Sequence, residues 1–161
     1  MVGAVALAVA AGALFGQWSD DEQATSARVV APEAGGAVAV YHSTLAEVAS
    51  RLADSRAAGM SDLRAAAAQD ARVRAIAALA RAYDQAADSL AGSVPPEPLS
   101  TANDETTGAL EAVARAYRRL SAAARRGDQG AYDRARRAVG RAESASADRL
   151  TATLKAAEDE T

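Results

Sequence analysis

The stretch from Asn103 to Ala157, NDETTGALEAVARAYRRLSAAARRGDQGAYDRARRAVGRAESASADRLTATLKAA, decides the fold class. Leu110, Val113, Tyr117, Leu120 and Ala124 recur at three and four residues. Tyr132, Ala135, Val139, Ala142, Ser146 and Leu150 keep nearly the same step further on. A helix turns once in 3.6 residues, so each set lies on one helix face, and every arginine falls off it. Between the two sets stands Arg125-Arg126-Gly127-Asp128. Glycine ends a helix in the left-handed conformation and aspartate accepts from the first free amides of the next, so the stretch reads as a helical hairpin.

Upstream, Gly92-Ser93-Val94-Pro95-Pro96-Glu97-Pro98 is a decisive break, because proline lacks the amide and disfavours helix in the residue before it. Ser100, Thr101 or Asn103 is expected to cap the helix that follows, with Asp104 and Glu105 near its positive end. Before the break, Val73, Ile76, Ala80, Tyr83, Ala87 and Leu90 form the most regular heptad in the chain. A further helix holds Val38, Tyr41, Leu45, Val48 and Leu52; it is expected to stop near Ala58, with Gly59 as its left-handed cap and Ser61 opening the next. A bent continuous helix is the alternative. The fold class expected is all-α: an antiparallel four-helix bundle of two hairpins over residues 37–161, preceded by an N-terminal apolar helix.

Four acids stand four residues before an arginine: Glu47–Arg51, Asp70–Arg74, Glu111–Arg115 and Asp133–Arg137. Each such pair adds only about 0.2–0.5 kcal/mol, but their agreement supports four exposed helices. There is one tyrosine per helix. With the turns placed as above, Tyr41 and Tyr83 fall toward one end, and Tyr117 and Tyr132 toward the other, each pair forming a layer.

Met1 to Ser19 carries no charge, and nineteen helical residues span about 28 Å, close to the roughly 30 Å of a bilayer core. It reads as a signal anchor, or as a signal peptide cleaved near Ala11-Gly12-Ala13. Ala8, Gly12 and Gly16 form a small-residue stripe suited to contact between membrane helices. Residues 20–36, with Pro32, Gly35 and Gly36, read as a linker. An apolar leader, a polar spacer and then a domain is the order of exported proteins. The bundle is therefore expected outside the cytoplasm, membrane-anchored, or secreted if the leader is cleaved.

Half of the 161 residues are hydrophobic, yet only 4% are aromatic, and alanine supplies most of the apolar count. Alanine favours helix and adds little core area, so slender, closely packed rods are expected. The absence of cysteine rules out disulfides, thiolate catalysis and cysteine-ligated metals. His42 is the only histidine, without the Glu-x-x-His partners of a di-iron bundle or the further ligands of a zinc site. Asp84 and Asp88 lie one turn apart but belong to no calcium loop. No nucleophile elbow, phosphate loop or dinucleotide fingerprint is present. The expectation is therefore no enzyme, no cofactor and no metal.

Charge is sorted along the chain. From Asp20 to Glu111 fourteen acids face seven bases, a balance of −7; from Ala112 to Ala157 eleven bases face four acids, a balance of +7. Arg118, Arg119, Arg125, Arg126, Arg134, Arg137 and Arg141 all lie off the apolar seam and form a candidate surface for an anionic partner: lipid headgroups, an envelope polymer or an acidic protein. The competing reading is that these arginines complement the acidic first hairpin. Nucleic acid is not expected, since no aromatic interleaves them.

The run Leu90, Pro95-Pro96, Ala116-Tyr117-Arg118-Arg119-Leu120, Ala124 to Asp128 and Ala131-Tyr132 resembles uncharacterised Ala/Arg-rich helical proteins exported by GC-rich bacteria. The resemblance covers about the C-terminal half and implies an exported, membrane-tethered module; it implies no activity. The functions in play are thus a non-enzymatic interaction or structural module acting through a protein partner or as a homo-oligomer, a small-molecule sensor with its ligand near a tyrosine layer, and a basic hairpin that binds anionic polymer or lipid.

Overall fold

A computed structural model describes residues 34–160. The expectations for the apolar segment and for Ala8, Gly12 and Gly16 lie outside these residues. Four helices follow in order: α1 (Ala34–Ala65), α2 (Gln69–Ala91), α3 (Ser100–Arg126) and α4 (Gln129–Asp159), with a short 3-10 turn at Glu97–Leu99. α1 therefore begins three residues before the expected start of the bundle.

Side-chain contacts set the directions. Tyr83 and Asp84 of α2 meet Tyr117 and Arg118 of α3, while Gln69 reaches Ala124. Thr106 of α3 meets Thr153 of α4, and Tyr117 meets Glu143. α2 and α4 thus run antiparallel to α3. The start of α1 joins them through Tyr41 to Asn103, and the middle of α1 through Arg56 to Glu143. The chain runs up, down, up and down.

The core is the thin seam that the periodicity implied. Val38, Tyr41, Leu45, Val48, Ile76, Ala80, Tyr83, Ala87, Leu90, Leu110, Val113, Tyr117, Leu120, Ala124 and Val139 are all buried. α4 is the shallowest member: Tyr132, Ala135, Ala142 and Leu150 are only partly buried against that core. The turn at Gly127 has the expected chemistry. Gly127 adopts φ 67°, and the Asp128 carboxylate accepts from the Ala131 amide at 2.8 Å.

Other expectations are overturned. α1 does not stop at Ala58: Gly59 lies inside the helix and is buried, and Ser61 caps nothing. A Cβ built on Gly59 would stand 2.7 Å from Leu79 Cδ2 and 2.8 Å from Leu79 Cγ. Glycine is there because α1 and α2 approach too closely for a side chain, not because the backbone turns. The break comes instead at Ala66-Ala67-Ala68.

α3 has no side-chain N-cap; its cap position is Leu99, which the 3-10 turn delivers. Asn103 is buried and accepts the Tyr41 hydroxyl at 2.9 Å. The tyrosine layers also differ. Tyr83 and Tyr117 pair with each other in mid-bundle, ring centroids 5.8 Å apart, whereas Tyr41 sits at the Asn103 end and Tyr132 just after the Gly127 turn. Of the four acid–arginine pairs, Glu47–Arg51 and Glu111–Arg115 close. Among the described residues no helix is long and apolar enough to cross a membrane.

Candidate functional site: a four-helix carboxylate tie and an arginine-rich end

One residue from each helix converges at the middle of the bundle. The Glu143 carboxylate of α4 accepts from the hydroxyls of Tyr83 (α2) and Tyr117 (α3), each at 2.9 Å. Arg56 of α1 completes the set, its Nε 2.8 Å from Oε1 and a terminal nitrogen 3.2 Å from Oε2. About a fifth of the glutamate side chain and nearly half of the arginine remain exposed, so the tie is wet on the α1 side and dry toward the two rings. The rings stack at 26°, which brings their hydroxyls to the same oxygen.

The electrostatics follow from this geometry. Burial alone would raise the Glu143 pKa, but the hydrogen bonds from Arg56, Tyr117 and Tyr83 and the charge of Arg56 outweigh it. The carboxyl is held below the usual glutamate range. Burial and the adjacent carboxylate push the Tyr83 and Tyr117 phenols well above their ordinary value. Burial, with Asp104 nearby, takes Tyr41 up to about 12.

All three phenols are poor acids and bases near neutrality. Glu143 is a committed acceptor rather than a free base, so the arrangement does structural work. A raised folded pKa favours the protonated state, so this part of the stability is present below pH ~10 and is lost as pH rises beyond it. Tyrosinate absorbance followed with pH should therefore rise late for these three side chains, together with loss of helical circular dichroism. An early rise at full helicity would contradict the burial of these hydroxyls.

The tie was hidden in the sequence, although a signal for it exists. Val139, Glu143, Ser146, Leu150, Thr153 and Ala157 step by four, three, four, three and four. The core line of α4 therefore runs through Glu143, in place of the neighbouring Ala142. Asn103 and Thr106 continue the line of Leu110 and Val113 in the same way. They meet Tyr41 and Thr153, the two threonine hydroxyls 2.9 Å apart. Arg56 had no periodic signal, because it reaches the tie from the edge of its helix with a long, half-exposed side chain.

The arginines of the candidate surface separate into two groups. Arg118 pairs with Asp84 of α2, which also takes Asp84 out of any metal site with Asp88. Arg119, Arg125, Arg126, Arg134, Arg137 and Arg141 are exposed and enter no ion pair among the described residues, as does Arg136 beside them. The reading in which the second hairpin's arginines complement the acidic first hairpin is met by Arg118–Asp84; Arg56–Glu143 joins the hairpins with the charges reversed, and the hairpin tip keeps its surplus. Of the acids at that end, Asp128 serves as a helix cap and Asp133 accepts from the Gln129 side chain.

Folding sorts the charges along the bundle axis. With the bundle divided where Tyr117 and Glu143 meet, the end carrying the Gly127 turn comprises residues 56–82 and 117–143, with thirteen bases and five acids, or +8. The opposite end comprises residues 34–55, 83–116 and 144–160, with four bases and twelve acids, or −8. His42 lies at this acidic end, its Nε2 3.6 Å from Glu158. No group of three or more His, Cys, Asp or Glu side chains among the described residues is arranged to hold a metal ion. In comparisons with family models, curated proteins and solved structures, no significant match to this chain was found.

Proposed function

We propose that this chain is a non-enzymatic interaction module: a helical bundle held at the membrane by its N-terminal apolar segment, outside the cytoplasm, and working by contact through its arginine-rich end. The observation that carries the reading is the separation of +8 and −8 along the bundle axis. Residues 1–33 join the bundle at Ala34, which belongs to the acidic end. The basic end lies about 40 Å further on, the length of the 27-residue α3 at 1.5 Å per residue. A tether at one end and unpaired cations at the other is an arrangement for reaching a partner away from the point of attachment.

The interior supports the same reading. The Tyr83, Tyr117, Glu143 and Arg56 groups are saturated by one another, and so are Tyr41 with Asn103 and Thr106 with Thr153. Among the described residues these groups spend their polar atoms on one another rather than on a nucleophile–base pair or a ligand cage.

Cell fractionation combined with protease accessibility tests the proposal. The full chain is expected in the membrane fraction, with the bundle digested by protease added from outside the cell. Recovery in the cytosolic fraction, protected from external protease, would reject the tether and the location together.

A further inference from the structure

Five of the unpaired guanidiniums at the basic end, those of Arg81, Arg119, Arg125, Arg126 and Arg134, rim two furrows on either side of α3. Arg119, Arg126 and Arg134 border a groove of about 420 Å³ between α3 and α4, floored by alanines from both helices. Arg81 and Arg125, with the Arg118–Asp84 pair, border a groove of about 290 Å³ between α2 and α3, over alanines and Ser121. Ala122 lies beneath both.

We propose that this end of the bundle binds a flexible linear polyphosphate-type anion that carries no bases, laid along the arginine-rimmed furrows, whose linings hold no aromatic on which a base could stack. The inference rests on the contact-module reading above and names its partner. Three observations select this occupant. First, Arg119 and Arg126 stand two turns apart on α3, about 10.5 Å along its axis, so one small anion cannot engage both and a chain of anions can. Second, the exposed large hydrophobics among the described residues are Val40 and Val94, and both lie at the acidic end. At the basic end Met60, Leu63, Val73 and Tyr132 are partly buried and none of them lines either furrow, so the furrows offer no aliphatic or aromatic anchor of the kind on which a protein interface depends. Third, the arginines surround α3 rather than share a plane. A flat bilayer meets one face of such an end, whereas a flexible strand follows a furrow. Guanidinium suits the task because its planar fork pairs two oxygens of one phosphate and keeps its charge at any physiological pH. The alanine floors let the strand settle between the rims without steric conflict.

The test uses the full chain in detergent micelles, with long-chain inorganic polyphosphate as the probe, at low and moderate salt. Phosphatidylglycerol vesicles and poly-glutamate serve as the competing arms. Polyphosphate should bind most tightly, with affinity falling at least tenfold between 50 and 200 mM salt as condensed counterions are released. Changing Arg119, Arg126 and Arg134 together to Glu should weaken binding on the order of 100-fold, three contacts each contributing several-fold. The matching triple change of Arg51, Arg149 and Lys155 to Glu alters net charge equally at the acidic end, and should keep binding within about threefold. Thermal melts establish that each variant folds; the Arg119→Gln, Arg126→Gln, Arg134→Gln triple replaces the first variant if it does not.

No binding to polyphosphate, or equal loss in both triples, would overturn the proposal. So would tighter binding to vesicles or to poly-glutamate, which would assign the end to a membrane or to an acidic protein instead. Fractionation reports on the tether alone, so failure of this partner is separable from failure of the module.

Discussion

Replacing Glu143 by Ala should destabilise the bundle by about 2–3 kcal/mol, and lower Tm by roughly 4–12 °C at the 2–4 °C per kcal/mol expected for a chain of this size. The change removes the acceptor of two buried phenols and the counter-charge of Arg56 at once. Breaking a fully buried pair costs about 3–5 kcal/mol. The lower figure applies because nearly half of Arg56 remains in water and can be rehydrated. Arg56→Ala should cost less, about 1 kcal/mol, since the phenols keep their partner.

pH dependence separates this account from simple loss of packing. The folded Glu143 pKa lies below its unfolded value, so its stabilisation is complete above about pH 4.5 and is lost as pH falls through the folded pKa. Glu143→Gln should remove that acid-linked part of the unfolding curve and leave the rest. Urea unfolding at pH 3 to 7 reads the difference. Parallel curves for the two proteins would mean that the carboxylate does not carry the tie.

The second large effect is expected at Gly59. A Leu side chain there would have to occupy space that Leu79 fills, and Leu79 is fully buried. Overpacking of a closed core costs about 1–3 kcal/mol, and Gly59→Leu belongs at the upper end because the first added atom already overlaps. Gly59→Ala should be nearly neutral to mildly destabilising. The helix gains about 1 kcal/mol from alanine over glycine, and the Leu79 methyl must shift to admit the Cβ. Combining Gly59→Leu with Leu79→Ala should recover part of the loss, a coupling of about 1–2 kcal/mol in a double-mutant cycle. Additive losses would show that the two positions do not touch.

These two sites also mark where reading the residues alone stopped short. The apolar steps, the Gly127–Asp128 turn and the proline-rich break are local features, and local chemistry is enough to place them. Gly59 is different. Seven residues beyond Leu52, it stands in the same heptad line, and yet a glycine late in a helical run looks like a cap unless the partner surface is known. Its meaning lies on α2, twenty residues away at Leu79. Glu143 also stands on a core line, where an acid looks like a lapse in the pattern until two phenols and a guanidinium arrive from three other helices.

Asn103 shows the same conflict in another form. An Asn ahead of a helix is a good cap by propensity, but a buried partner for the Tyr41 hydroxyl wins, because an unpaired phenol costs more than a missing cap. The candidate surface was legible as residues and not as an arrangement. Counting gave an acidic and a basic stretch of the chain, while packing brought residues 56–82 of the first together with residues 117–143 of the second in one basic end. Among the described residues, Arg118–Asp84 is the ion pair in which an arginine of the second hairpin meets an acid of the first.

The central claim is therefore geometric: four helices close so that the Ala34 end and the Gly127 end lie at opposite poles. Because the chain has no cysteine, spin labels can be placed singly at exposed sites without background. Pulsed electron-spin distances between Ser43 and Lys155 should be short, under about 20 Å, since both sit at the acidic pole. Those between Ser43 and Gln129 should be about 35–40 Å, nearly the length of α3. Comparable distances for the two pairs, or a Ser43–Lys155 separation spanning the bundle, would contradict both the closure and the charge separation built on it.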